Sequence, residues 1–355
     1  MNRIKSALNR IFIDGLSGMA LGLFSTLIVG TILTQVASLF LSGEAKNLLL
    51  IIGKTASLLT GAGIGCGVAG KLKASPLVTV ASAVNGMVGA YAGKILAGTL
   101  ITDGTFTILP PGEPLGAFVA AYVGIAIGSL ISGKTKVDIL LTPVTTILCG
   151  SAAGIFVGPP ISEFMTYLGS LVNWGTQQQP FLMGIVVSVL MGVFLTLPIS
   201  SAAIGIVLGL NGIAAGAATV GCCANMIGFA VASYRENKVG GLLAQGLGTS
   251  MLQIPNIIKN PLIWLPAIVS SAVLGPVSTM LLHMTSNATG SGMGTAGLIG
   301  PIMSFQTMIA DRPAVVCITE IALMYFILPG IISLGVSEFL RSRGFIGKGD
   351  MLLDV

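Results

Sequence analysis

With 54% hydrophobic and 8% charged residues in a chain of 355, and a mean hydropathy of +0.96, this sequence is not that of a water-soluble domain; soluble folds carry about 25% charged residues. The formal charge of +5 collects in short turns and tails, which excludes a polyanion-binding surface and leaves no place for nucleic acid as a partner. A bilayer core about 30 Å thick takes about 20 apolar residues per helix. Such stretches recur, so the expected fold is all-α: a polytopic membrane helix bundle of about nine or ten transmembrane helices with two re-entrant hairpins.

In chain order the apolar runs fall near 13–41, 48–70, 76–101, 115–132, 138–157, 181–208, 212–233, 261–285 and 314–340. The first is too long for the core of a cleaved signal peptide, so the N-terminus is expected to be retained. Arg3, Lys5 and Arg10 precede it, Lys71 and Lys73 follow the second run, and Lys134 and Lys136 follow the fourth. The positive-inside rule puts all three clusters in the cytoplasm, the acidic Pro-rich loop Asp103–Pro114 and the Trp174 region outside, and the C-terminus, through Arg341, Arg343 and Lys348, inside. Arg235 and Lys238 break this alternation after seven simple crossings. Pro198 offers a remedy, because proline removes an N–H and frees a carbonyl. Residues near 198–211 then form a half-helix or an extra passage; a simple kink is the alternative. GIGCGVAGKLK and GIAIGSLISGKTK, ending at Lys73 and Lys136, leave a duplicated helix hairpin open beside a chance recurrence of Gly-Lys turns.

Two Gly-rich segments, GGLLAQGLGTSMLQIPN (240–256) and GSGMGTAGLIGPIM (290–303), are too short or too polar to span and too apolar for water. Irregular backbone at membrane depth survives only inside protein or along a wet cavity, so both point to a central site. Candidate solute contacts are Ser200 and Ser201 at the proline break, Asn225 within 212–233, Gln245, Gln253 and Asn256 in the first segment, and Asn287, Ser291 and Thr295 at the second. Paired donors and acceptors beside glycines suit a sugar or similar small polar solute. The competing reading is that the amides satisfy broken-helix backbone.

Intramembrane charges are functional candidates by default. Glu320 reads as a proton or solute contact unless it pairs with a neighbour, and Arg312 lies two turns earlier. Asp14 follows Arg10 by four residues, which suits a local ion pair or an ion contact. His283, the single histidine, reads as a proton switch or a hydrogen-bonded packing residue. Arg235 and Glu236 look like a solvated helix end. Cys66, Cys149, Cys222, Cys223 and Cys317 sit in apolar segments with no CxxC spacing and no adjacent histidine, so they read as packing residues, and neither metal nor cofactor is expected. No Walker loop and no Gly-x-Ser-x-Gly elbow occurs, so no self-contained catalytic site is expected.

PISSAAI from 198, AAGAATVGCCANMIGFAVASYRENKVGGLLAQGLGTSMLQIPN from 214, NPLIWLP from 260 and GSGMGTAGLIGP from 290 resemble the IIC-like permease subunits of the phosphoenolpyruvate-dependent sugar phosphotransferase system, in the branch containing the perfringolysin regulator PfoR. The resemblance implies a multi-pass protein of the bacterial cytoplasmic membrane, a homodimer whose hairpins and neighbouring helices surround a sugar, with separate IIA and IIB proteins as phosphorylating partners. It implies an N-terminal half, 1–180, for scaffold and dimer contacts, a C-terminal half, 181–340, for substrate, and a short cytoplasmic tail, 341–355. It also implies a glutamate in a Glu-Pro motif at the sugar hydroxyl that becomes phosphorylated. Here the sequence departs: its Glu-Pro is Glu113-Pro114, in a loop, and the segments at Pro198 and Gly290 carry hydroxyls. Three functions stay open: a permease, a non-transporting sensor with the same pocket, and an ion-coupled carrier.

Overall fold

The computed structural model describes residues 10–102, 105–106 and 112–353, apart from the side chains of residues 101–111, Leu39, Ser162, Ala203 and Val207. Arg3, Lys5 and most of the loop at 103–111 lie outside the described residues. Among those described, six helices are long and apolar enough to cross a membrane, a bent pair makes a seventh span, and two shorter apolar helices accompany them. The nine predicted runs fall on these in order, and the protein is an all-α polytopic helix bundle. The chain divides into two compact units, Met1–Met165 and Thr166–Val355.

The first unit opens with α1 (Arg10–Ser38). The second predicted run is bent by 56° between α2 (Gly43–Leu58) and α3 (Thr60–Lys71). Then come α4 (Pro76–Ala90), the short α5 (Ala92–Leu96), strands β1 (Ile101–Thr102) and β2 (Thr105–Phe106) paired antiparallel, α6 (Pro114–Ile131), and α7 (Asp138–Thr176), which carries the chain into the second unit. Pro76 and Pro114 begin their helices, where the missing N–H has no partner to lose. In lipid there is no hydrophobic drive between helices, so small residues that admit close backbone contact set the packing. Gly18 meets Gly67 and Gly22 meets Gly63, which fixes α1 antiparallel to α3; Gly61 meets Gly86 between α3 and α4, and Gly89 meets Gly116 between α4 and α6. The fully buried Asn85 donates to Thr146 O (2.9 Å) and accepts from Ser151 Oγ (3.3 Å), pinning α4 to α7.

The α1–α3 register places Arg10 beside the Lys71 end, and Ser75 Oγ and Ser132 Oγ, 2.7 Å apart, join the turns after α3 and α6. Arg10, Lys71, Lys73, Lys134 and Lys136 therefore gather at one end of this unit. The two Gly-Lys turns are built differently. Lys73 takes the positive φ (54°) in the first and Gly133 (77°) in the second, while Gly70, the counterpart of Gly133, is helical.

The second unit continues with α8 (Pro180–Thr196), a break at Leu197–Ser200, α9 (Ser201–Val207), α10 (Gly212–Ala232) and α11 (Tyr234–Leu243). A π turn (Ala244–Gly248), a 3-10 turn (Ser250–Gln253) and α12 (Ile254–Lys259) lead to α13 (Pro261–Leu281). α14 (Ala288–Ser291), a 3-10 turn (Ala296–Leu298) and α15 (Ile299–Met308) precede α16 (Ala314–Ser342). Both Gly-rich segments are thus broken helices. α10 is the axis of the unit, with 83% of its spanning stretch buried.

Ser188 O lies against Gly221 and Thr196 bonds to Asn225, so α8 and α10 run parallel; Gly184 against Gly275 and Ser188 Oγ on Ser271 O (2.8 Å) make α13 antiparallel to both. Parallel neighbours need a return passage, and α9, entered through the break after Pro198, supplies it. α16 runs parallel to α10, Gly330 lying near Ile227 and Arg341 reaching Ala232 O. Arg235 and Lys238 therefore share one end of the unit with Arg341, Arg343 and Lys348.

Candidate functional site

At that end the amides of the first broken segment form a relay. Gln245 Nε2 donates to Ser233 Oγ (2.8 Å) and Gly241 O (3.0 Å), and its Oε1 accepts from Gln253 Nε2 (2.9 Å). Gln253 Nε2 also donates to Met351 O (3.0 Å), while its Oε1 accepts from Asn256 Nδ2 (2.9 Å), which donates again to Leu352 O (2.8 Å). Each amide carries two N–H donors, so all six are engaged inside the protein. The segment after α16 occupies the outer face of the relay. It was expected to be a short tail, yet Ile346, Met351 and Leu353 are buried. Asn237 and Asn260 hold it from the sides, Asn237 donating to Met351 O (2.7 Å) and Asn260 to Asp350 Oδ2 (2.8 Å).

Deeper in the unit Asn225, fully buried on α10, is a hub. It donates to Gly221 O (3.2 Å) and Ser271 Oγ (3.0 Å) and accepts from Trp264 Nε1 (2.9 Å) and Thr196 Oγ1 (3.3 Å). Thr196 Oγ1 lies 2.8 Å from Ser250 Oγ, which links the hub to the first broken segment.

The second broken segment lies along α10 from Thr219 to Met226: Gly300 meets Thr219, Gly294 meets Cys222 and Thr295 meets Met226. Ser201 Oγ donates to Gly292 O (2.7 Å), binding the proline break to this segment; Ser200 beside it is buried. Ser291 Oγ caps Ala288 O (2.8 Å), and Thr295 Oγ1 sits on Met226 Sδ (3.4 Å). Asn287 caps α14 through Gly290 N (2.9 Å). The turn Ala244–Gly248 touches the turn Ala296–Leu298, so the two broken segments meet. The nine polar candidates thus lie in three neighbouring groups: the relay, the hub, and the hydroxyls around α14.

Glu320 pairs with Arg312 (2.8 Å), whose second nitrogen donates to His283 O (2.9 Å). The His283 side chain is exposed and its backbone left-handed (φ 45°). Asp14 is exposed and makes no ion pair among the described residues. Arg235 forms an exposed pair with Glu338, as a solvated helix end should. Glu236 does not: it faces inward and grips Arg341 at 2.8 and 3.2 Å, both side chains about a tenth exposed. The helix-end reading of Glu236 is corrected accordingly, and Arg341 is a structural residue of this end. Glu113 caps α6 through Leu115 N (3.4 Å). An open apolar groove of about 380 Å³, bounded by Val231, Tyr234, Leu242, Leu334 and the Arg235–Glu338 pair, has none of the candidate amides in its walls.

Sequence reasoning passed over Thr196, Ser271, Trp264, Asn237, Asn260 and Asp350. Asn237 and Asn260 had a signal, since both flank the amide-rich run within the distinctive stretch YRENKVGG…NPLIW; Thr196 and Ser271 are isolated hydroxyls in apolar helices and had none.

The family model described as phosphotransferase system, EIIC, matches residues 13–353. No curated protein matches the chain. With nearly the whole chain covered, with the helices in the predicted order and with the polar side chains gathered where two broken segments meet beside α10, the chain belongs to the EIIC family of the phosphotransferase system and is a multi-pass membrane component of that permease type.

Proposed function

We propose that the protein binds a neutral polyhydroxy solute, a sugar or a close relative, in the second unit and moves it across a bacterial cytoplasmic membrane. The observation that carries this reading is the amide relay Gln245–Gln253–Asn256 beside the Asn225 hub: neutral donors and acceptors, at broken backbone, in a chain of permease type. The C-terminal half, 181–340, is then the substrate part and 1–180 the scaffold and dimer contact. The basic ends of the two units face the cytoplasm, with both termini there, and separate IIA and IIB proteins supply any phosphoryl group. The branch is the PfoR type.

A second reading, a sensor with the same pocket, is favoured by one observation: every relay donor is already engaged, two of them by the segment after α16. The test is a thermal-shift screen of detergent-purified protein against hexoses, pentoses, polyols and sugar phosphates, because a ligand of the folded state alone raises Tm. A shift from a neutral polyhydroxy solute, weakened at least tenfold in apparent Kd by Asn256→Ala, supports the site. No shift from this class, or an unchanged Kd in the variant, rejects it. Uptake of the same solute into vesicles separates permease from sensor.

A further inference from the structure

Phe345–Leu353 is built as a strap. Gly344 (φ 74°) lets the chain leave α16 in a left-handed turn, and Gly349 (φ 87°) turns it back over the relay. Asp350 Oδ2 clips the loop by accepting from Gly347 N and Asn260 Nδ2, each at 2.8 Å. Asn237 then reads the strap backbone on both edges, donating to Met351 O (2.7 Å) and accepting from Leu353 N (2.9 Å). Met351 O takes a second donor, Gln253 Nε2, and Leu352 O takes Asn256 Nδ2. Underneath lies a polar floor of amides and the Glu236–Arg341 pair, with the buried Arg341 Nε lacking a partner. Water and hydroxyls satisfy such groups as well as peptide carbonyls do. Lifting the strap passes these polar groups to water or hydroxyls and exposes its own Ile346, Met351 and Leu353.

We propose that Phe345–Leu353 is a releasable strap seated in the amide cleft, its carbonyls standing where the hydroxyls of a solute would accept, so that Gln253 and Asn256 are open to a ligand only when it lifts. The solute half of this statement rests on the site proposed above; the strap half does not.

Hydrogen–deuterium exchange of the full chain in lipid nanodiscs tests the strap. Amides of 350–353 should exchange at least about 100-fold faster than those of 220–230, and Asn237→Ala should speed them about another tenfold. Protection equal to that of α10 would overturn the proposal. Independently, a chain stopped at Gly344 should bind the synthetic peptide FIGKGDMLLDV, about tenfold more weakly with Gln253→Ala, while the full chain should not bind it. A folded truncated chain that ignores the peptide would also overturn the strap; if truncation prevents folding, the exchange result decides. Glucose, galactose and mannitol tested on the same truncated chain address the solute half alone. Peptide binding without any sugar response keeps the strap and removes the solute reading.

Discussion

Asn225→Ala should be the most costly single truncation of a polar side chain in the second unit. The amide makes four hydrogen bonds at 2.9–3.3 Å from a fully buried position. Intramembrane hydrogen bonds average about 0.6 kcal/mol each, which gives about 2.4 kcal/mol for the set. The loss is not shared evenly. Thr196 keeps Gly192 O and Ser250 Oγ, and Ser271 keeps Ala267 O, but the Trp264 indole N–H has Asn225 alone. An orphaned donor costs about 1–3 kcal/mol when buried, and Trp264 is half-buried, which places it at the low end, so the total expected is about 2–4 kcal/mol. Reversible unfolding in mixed detergent–SDS micelles measures it, and Trp264→Phe identifies its source. In the parent, Trp264→Phe removes a satisfied donor; in the Asn225→Ala background it removes an orphan and should cost at least about 1 kcal/mol less. A cost below about 1 kcal/mol for Asn225→Ala, or additive effects in the cycle, would refute the hub.

Glu236→Gln strands Arg341 at a nearly buried position; the usual loss for a broken buried pair is about 3–5 kcal/mol, reduced here to about 1–3 by the tenth of each side chain that stays exposed, and a double variant with Arg341→Met should recover part of it. Additive losses in that cycle would show that the pair is not coupled. Gly221→Ala drives a methyl into the Ser188 carbonyl where α8 crosses α10 and should remove most monodisperse protein on size exclusion, whereas Gly240→Ala, with open space around it, should behave as the parent. Equal yields of the two variants would contradict the close crossing. Glu320→Gln and Arg312→Gln should each lower stability, by about 1 kcal/mol, and non-additively; a Glu320→Gln variant of unchanged Tm would return the carboxylate to the proton or solute role.

Hydropathy located every span because the bilayer imposes one length and one chemistry on each. Pro198 revealed the break before α9 for a similarly local reason. The bend at Leu59 was hidden: no proline marks it, and Ser57 and Thr60, which flank it and bond to each other there (Thr60 Oγ1 to Ser57 O, 2.6 Å), are ordinary within a Gly- and Thr-containing apolar run. Gln245, Gln253 and Asn256 were legible as a group from their spacing, but their partners were not: Gln253 meets Met351 across 98 residues, and no periodicity in a dozen mixed residues announces such a contact. Arg341 shows a further limit. A basic residue at a helix end serves topology and a buried pair equally well, and only the inward turn of Glu236 distinguishes them.

The glycine contacts of the first unit constrain how this protein can move. Where Gly18 rests on Gly67, Gly22 on Gly63, Gly61 on Gly86 and Gly89 on Gly116, backbone bears on backbone, with only the Thr26 and Ala120 side chains alongside. Sliding α1 along α3, or α4 along α6, would need the helices to part before they could shift. Shear of packed helices, which relies on small side-chain readjustments, is thereby denied to this half of the chain. Its helices travel together, and compliance is left to the interrupted stretches, Leu197–Ser200 and Ala244–Gly248 among them, where few backbone ladders have to break.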